Sequence, residues 1–262
     1  MEKIAIVTGG SSGIGLETAK ALAAAGCRVY VLCRRAFSHE GLTVLRADVT
    51  DEAAVREAAE AVVREAGRVD ILVNCAGFGI SGAVEFTEGA DAKRQFDVNF
   101  FGMDNATRAV LPHMRRAGSG RIVCVSSVAA AAAIPFQTYY SASKAAINAY
   151  ACALANEVRP FGVSVTAVMP GDIRTGFTDA RRKSAAGDEA YGGRVSKSVA
   201  KMERDERGGM EPSRAGAYIA KLALRRCVKP LYAVGFSYKC VCFLCDALPC
   251  GLRNRLIGLL YA

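Results

Sequence analysis

The sequence predicts an α/β fold: one doubly wound parallel sheet of about seven strands, flanked by helices. Three observations carry this expectation. Short β-branched runs recur along the 262 residues. Alanine-rich, helix-like segments separate most of them. The runs are apolar without strict alternation, as expected for strands covered on both faces. Strand–helix–strand repetition then calls for a parallel sheet with right-handed crossovers.

The first strand is "IAIVT" (4–8), and "GIGLETAKALAAAG" continues it as a helix. The next runs are "RVYVLC" (28–33), "LTVLRA" (42–47) and "VDILVN" (69–74). Between the last two, "DEAAVREAAEAVVREAG" has an acidic start and a glycine stop, the signature of a capped helix. "RIVCVS" (121–126), "VSVTAVM" (163–169) and "LYAVG" (231–235) complete the set. No repeat and no proline- or glycine-rich linker divides the chain, so residues 1–262 read as a single domain. Residues 176–211 are rich in charge and glycine and are the least regular part, which predicts a mobile substrate lid. Residues 236–262 form an apolar tail with interspersed cations.

Composition narrows the class. Hydrophobic residues make up 52% and charged residues 23%, enough for a sizeable core and unlike a disordered chain. The start has no secretory pattern, and no uninterrupted apolar run reaches the ~18–20 residues that span a bilayer. The expectation is a cytoplasmic protein, with the tail a candidate for peripheral contact with a membrane surface. Ten cysteines fit reduced, buried thiols better than a disulfide frame. The cluster "CVCFLCDALPC" (240–250) matches no standard zinc spacing and has no histidine nearby, so no metal is expected. The net charge of +9 is spread along the chain without an aromatic-interleaved stripe, which predicts no nucleic-acid partner.

The first strand–helix turn, Thr8 to Gly15, reads T-G-x-x-x-G-x-G. Gly9, Ser11, Ser12, Gly13, Ile14 and Gly15 are candidates for cradling a pyrophosphate at a helix N-terminus. An adenosine 2′-OH is usually read by a carboxylate at the end of the second strand, but Cys33 stands there, followed by Arg34 and Arg35. Guanidinium groups suit a 2′-phosphate, so NADP(H) is favoured over NAD(H). Asp48, with Val49 beside it, ends the third strand where a carboxylate can meet an adenine amino group. Helix capping is the other job open to Asp48, and Thr50 or Asp51 can fill it instead. Asn74, Ala76 and Gly77 of "NCAG" give a small turn that lets a ribose pass close to backbone.

"YYSASKAA" (139–146) places Tyr140 and Lys144 four apart, on one helix face. A phenol titrates near pH ~10, and a nearby ammonium lowers that value. Such a pair can exchange a proton with a carbonyl or alcohol oxygen. Tyr139 is off that face. His39 and His113 match no catalytic position.

The order of these motifs, continued by Asn99 in "VNFFG", Ser127 in "VSSVA" and the pair Pro170–Gly171, resembles the short-chain dehydrogenase/reductase family over nearly the whole chain. The resemblance implies a single-domain Rossmann enzyme that moves hydride between NAD(P)(H) and a carbonyl or alcohol, without a metal. It implies that Tyr140 is the acid/base and that Lys144 lowers its pKa and binds the nicotinamide ribose. Ser127 would bond the substrate oxygen, Ser126 would be structural, and Asn99 would hold a water beside Lys144. Ile173 and Thr175 would hold the carboxamide. Cys75 departs mildly from the family's usual asparagine. The apolar tail resembles the hydroxysteroid and retinol dehydrogenase-like branch, which implies a lipophilic substrate such as a steroid, bile acid or retinoid, and a dimer or tetramer. Phe177, Tyr191 and Met202 offer apolar lid contacts, Arg181, Arg182 and Lys183 would favour an acidic group, and the loop 128–140 would line the other wall. A 3-oxoacyl thioester reductase and a non-catalytic NADP(H) sensor are the alternatives. The retained Ser127, Tyr140 and Lys144 argue against the sensor.

Overall fold

The computed structural model describes residues 2–261, so Met1 and the last tail residue, Ala262, lie outside the described residues. In chain order the first half holds β1 (Lys3–Thr8), α1 (Gly13–Ala24), β2 (Cys27–Cys33), β3 (Leu42–Arg46), α2 (Glu52–Ala66), β4 (Ile71–Asn74), β5 (Ile80–Ser81), α3 (Gly89–Phe96) and α4 (Gly102–Ala117). The second half holds β6 (Gly120–Val125), α5 (Thr138–Val158), β7 (Val163–Met169), α6 (Phe177–Ala180), β8 (Arg182–Lys183), α7 (Arg194–Arg207), α8 (Pro212–Leu224), β9 (Leu231–Ala233), α9 (Phe236–Ala247) and α10 (Cys250–Tyr261).

Seven strands form one parallel sheet in the order β3-β2-β1-β4-β6-β7-β9. The seven runs predicted from sequence are these seven strands. A separate two-stranded parallel pair, β5 with β8, ties the lid to the loop after β4. The apolar runs are explained by burial on both faces. In β1, Ile4 and Ile6 join the core shared with α2, α4 and α5, while Ala5 and Val7 join the core shared with α1 and α8. Alternate side chains of β1 thus serve opposite layers.

Strand order reverses between β1 and β4, and ligands of open α/β sheets bind at the carboxyl ends of strands where this happens. A third, smaller cluster lies towards the same end of the sheet. Val128, Met169, Ala233 and Cys242 pack there with Tyr238, which anchors the tail helix α9.

Two sequence expectations change here. The region 176–211 is more regular than expected: it contains the 14-residue helix α7 and is fastened by side-chain ion pairs. The wall 128–140 is also not purely substrate-facing, because Val128 turns into the cluster under α9.

The capping question is settled by α2. Asp51 accepts a hydrogen bond from Ala54 N at 3.0 Å and caps the helix, which leaves Asp48 outside that role. Asp51→Ala is expected to lower stability by about 1 kcal/mol in urea denaturation, the usual effect of losing such a cap.

Candidate active site

The dinucleotide end is built on close backbone approach. Gly9 has φ of +66°, and a Cβ on it would stand 2.7 Å from Ala76 Cα. No other residue fits between β1 and the turn after β4. Thr8 Oγ1 fixes this junction by accepting hydrogen bonds from Cys75 N and Ala76 N, each at 3.2 Å. Asn74 Nδ2 donates to Thr107 Oγ1 at 3.1 Å, while Asn74 Oδ1 is buried without a protein partner. Gly77 completes the turn under the catalytic end.

Helix α1 starts at Gly13 with no side-chain cap from Ser12 and no acidic residue in its first turn. The amides of its first turn, at Gly13, Ile14 and Gly15, therefore remain free to meet an anion. Thr175 lies across the cleft, its Cβ and Cγ2 3.5 Å from the point where a Gly13 side chain would begin. Arg34 and Arg35 are exposed at the end of β2 and form no ion pair among the described residues. Burial works against the Asp48 carboxylate, but Thr50 N and Oγ1 donate to it at 3.0 and 2.9 Å, and Arg34 and Arg94 lie near. The net effect holds Asp48 below its ordinary value. Val49 beside it is buried. Free helix amides, a glycine-lined cleft and unpaired arginines fit a nicotinamide dinucleotide.

The chemical end lies where β6 stops and α5 begins. Lys144 is buried, and its Nζ donates to Val125 O at 2.8 Å. Ser126 Oγ donates to Lys144 O at 2.9 Å, the structural role expected for it. Ser127 Oγ accepts from Ala129 N at 3.1 Å. Burial pushes the Tyr140 phenol up to about 12, against the pull of Ser127 hydrogen bonding and of Arg181. Burial likewise pulls Lys144 down to about 8, with Cys75 and Cys124 opposing it. The lowered Tyr140 value expected from the sequence is thus absent in the protein alone. Desolvation outweighs Ser127 and Arg181, and Lys144 Nζ sits 5.6 Å from the phenol ring centre.

Asn99 is buried in a π-helical turn, Asp97–Phe101, that joins α3 to α4. Its Oδ1 accepts from Phe78 N at 3.0 Å. Its Nδ2 donates to Phe78 O at 3.1 Å and to Ser143 Oγ at 3.2 Å. Ser143 Oγ in turn donates to Tyr140 O at 2.7 Å. Asn99 Oδ1 and Lys144 Nζ both approach Gly77, 3.2 and 3.7 Å from where its Cβ would be. Asn99, Ser127, Tyr140 and Lys144 therefore gather at one place. Ser143, the link between Asn99 and α5, had no signal in the sequence beyond its place next to Lys144.

After β7, Pro170 O accepts from Val128 N at 2.9 Å. Ile173 is buried and bridges to Met210. Thr175 Oγ1 accepts from Phe177 N at 3.2 Å. A Cβ on Gly171 would fall inside the Tyr238 ring. Tyr238 comes from the tail helix α9; its hydroxyl accepts from Asp172 N at 2.9 Å and donates to Asp172 Oδ2 at 2.6 Å. Sequence reasoning gave no role to Tyr238, which lies 66 residues from Asp172.

The substrate side departs from expectation. Arg181 is buried and pairs with Glu206, Arg182 pairs with Asp91, and Lys183 pairs with Glu203. Each lid cation expected to attract an acidic substrate already has a carboxylate. Met202 is buried in the lid, and Tyr191 stacks edge-on against Phe136 and Phe86. Phe177 alone of the three covers Tyr140, with ring centres 5.7 Å apart. His113 contacts Glu60, and His39 lies in the loop before β3, both far in sequence from any of these groups. No cluster of metal-ligating side chains occurs among the described residues, and all ten cysteines are free.

A doubly wound sheet with an anion-ready first turn and a Ser-Tyr-Lys group built around a buried lysine at its switch point defines a nicotinamide-dependent oxidoreductase. The pattern of the short chain dehydrogenase family matches residues 3–186. A 3-ketodihydrosphingosine reductase of Bacteroides thetaiotaomicron is 42% identical over 227 residues, covering 86% of this chain and 84% of that protein. A short-chain dehydrogenase structure from Streptomyces avermitilis superposes with a TM-score of 0.85 at 31% identity, covering 98% of this chain and 96% of the other. ElxO with NADP bound (TM-score 0.76, 25% identity, 92% of this chain, 100% of the other) and a 3-ketoacyl-(acyl-carrier-protein) reductase from Brucella melitensis with NADH (0.74, 25%, 88%, 96%) are also similar. The chain belongs to the short chain dehydrogenase family.

Replacing Tyr140 by Phe is expected to lower kcat for carbonyl reduction by about 10²–10⁴, the usual worth of a general acid. Cofactor binding, followed by fluorescence titration, should survive the change.

Proposed function

We propose that this chain reduces a ketone on a long-chain lipophilic substrate with NADPH, and that a 3-keto sphingoid base of the kind its Bacteroides relative acts on is the leading candidate. The observation that carries the reading is the half-buried Tyr140, held as a neutral phenol beside Ser127 and the buried Lys144. Steroid, bile-acid and retinoid ketones belong to the same lipophilic class. The paired lid cations favour an uncharged or amine-bearing ketone over an acidic one, and so count against a carrier-bound thioester.

The nicotinamide cofactor, when bound, supplies the hydride to the carbonyl carbon. Tyr140 gives its phenolic proton to the carbonyl oxygen, and the product is a secondary alcohol. Ser127 donates a hydrogen bond to the same oxygen and orients it. Lys144, held by Val125 O, stabilises the phenolate left behind. Asn99 fixes the start of α5 through Ser143 and so sets the position of Tyr140. Phe177 excludes water from the phenol. Gly9, Ser11, Ser12, Gly13, Ile14 and Gly15 hold the pyrophosphate, and Asp48 and Val49 the adenine. Asn74, Ala76 and Gly77 border the ribose, and Pro170, Gly171, Ile173 and Thr175 the carboxamide. Arg34 and Arg35 receive the 2′-phosphate. Peripheral contact of the tail with a bilayer, a dimeric or tetrameric assembly and a single domain belong to the same proposal.

The test is NADPH oxidation with 3-ketodihydrosphingosine, beside steroid, bile-acid and retinoid ketones. Turnover of the sphingoid ketone that vanishes in Tyr140→Phe supports the reading. Turnover of a 3-oxoacyl thioester alone would sink it. Arg34→Ser/Arg35→Ser is expected to raise KM for NADPH by about ten- to a hundred-fold while KM for NADH stays put, since charge-assisted bonds are worth roughly 1.5–3 kcal/mol.

The pH profile follows from Tyr140 and Lys144. Tyr140, at about 12, stays protonated through the working range. Lys144, at about 8, is charged below that pH and loses its proton above it. The reduction rate should therefore be flat towards acid and fall as pH rises through about 8. Lys144→Arg, which keeps its charge, should lose that descending limb and have a lower plateau.

A further inference from the structure

A cavity of about 500 Å³ lies away from the site just described, at the edge strand β9 between α8 and the tail. Its lining includes Lys221, Arg225, Lys229 and Lys239, together with Tyr218 and Tyr232, and no carboxylate. None of the four cations forms an ion pair among the described residues. The buried Arg121 stands behind them: its Nη2 donates to Arg225 O at 2.6 Å and to Arg226 O at 3.3 Å, which fixes the rim. Four unpaired cations around one concavity repel each other, and an anion entering it relieves that repulsion.

The cavity adjoins an apolar surface. Eight of the 13 exposed large hydrophobics among the described residues lie in residues 236–260. Phe236, Lys239 and Phe243 follow at i, i+3 and i+7 and so share one stripe of α9, and the two phenylalanines are 83% and 70% exposed. Lys239 thus belongs both to the cavity and to the apolar stripe. Leu252, Leu256 and Leu259 make a second exposed stripe on α10. Arg253 Nη1 donates to Cys245 O at 2.7 Å and holds the two helices together. Neither helix is long and apolar enough to cross a membrane. Short apolar stripes flanked by cations are the pattern of helices that lie in a membrane interface.

We propose that the basic cavity takes the phosphate of an anionic phospholipid headgroup while the exposed faces of α9 and α10 seat in the bilayer. The inference rests on the tail contact proposed above and adds to it a defined anion site and a lipid class. A second copy of the chain is the poorer occupant. A two-fold contact would set these unpaired cations against themselves in a chain of net charge +9.

The experiment is vesicle co-sedimentation of the full chain, comparing phosphatidylcholine vesicles with vesicles that also contain phosphatidylglycerol. Lys221→Gln/Lys229→Gln/Lys239→Gln is compared with Arg56→Gln/Arg64→Gln/Arg159→Gln, which removes equal charge from exposed sites elsewhere. Phe236→Ser/Phe243→Ser reports on the apolar face alone, and melting curves confirm that each variant folds. Expected is binding to the anionic vesicles that weakens on the order of a hundred-fold in the lysine variant and far less in the arginine variant. Equal loss in both charge variants overturns the cavity as a site. Equal binding to the two vesicle types overturns it as well, while leaving the tail contact standing if the phenylalanine variant weakens it. No binding to either vesicle removes both readings. A lysine variant that changes the mass in solution by light scattering, with vesicle binding intact, makes the cavity a subunit interface and overturns the lipid proposal.

Discussion

The junction of β1 with the turn after β4 governs the rest of the molecule. One hydroxyl, Thr8 Oγ1, accepts two amides from the opposite turn, and Gly9 permits backbone to approach backbone. The contact holds closed the point where the strand order reverses. Everything that fits a dinucleotide is measured from it: the free first turn of α1 on one side, Asn74 to Gly77 on the other, and Lys144 beneath. A larger residue at position 9 would separate the two halves of the sheet at their carboxyl ends, where the chemistry is gathered.

Burial sets the electrostatics of that place. Desolvation acts on Tyr140 and Lys144 in opposite senses, up for the phenol and down for the amine, because each is driven towards its neutral form. A neutral phenol is a proton donor. In the proposed reaction the phenolate it leaves needs stabilising, and Lys144, lowered to about 8, still carries charge at neutral pH. The lid follows the same logic. Arg181, its side chain enclosed without solvent, is paired with the carboxylate of Glu206.

The framework was legible in the sequence because it is written in local signals. Seven β-branched runs became seven strands, and the Thr8–Gly15 turn and the Tyr140/Lys144 spacing fell where their periodicity put them. What escaped was long-range. Nothing near Arg181, Arg182 or Lys183 announces carboxylates 25, 91 and 20 positions away, so those cations read as free. The order of 176–211 escaped for a related reason, since it is fastened by pairs 20 and 25 positions apart within the segment and by Asp91 and β5 outside it. The desolvation that pushes the Tyr140 phenol up in the protein alone also escaped, because a linear spacing shows the nearby ammonium but not what covers the ring.

Tyr238 adds an order of events to this architecture. The loop at Gly171 and Asp172 is braced by a ring and a hydroxyl from a helix near the end of the chain. A polypeptide emerges from the ribosome N-terminus first, and the strands and the first glycine turn are available to pair long before α9 exists. The sheet can therefore assemble while the loop at Gly171 and Asp172 is still unbraced. Helix α9, made after the whole sheet, is the one that braces this loop, so a chain interrupted before it would have a nearly complete scaffold and an unfinished cleft.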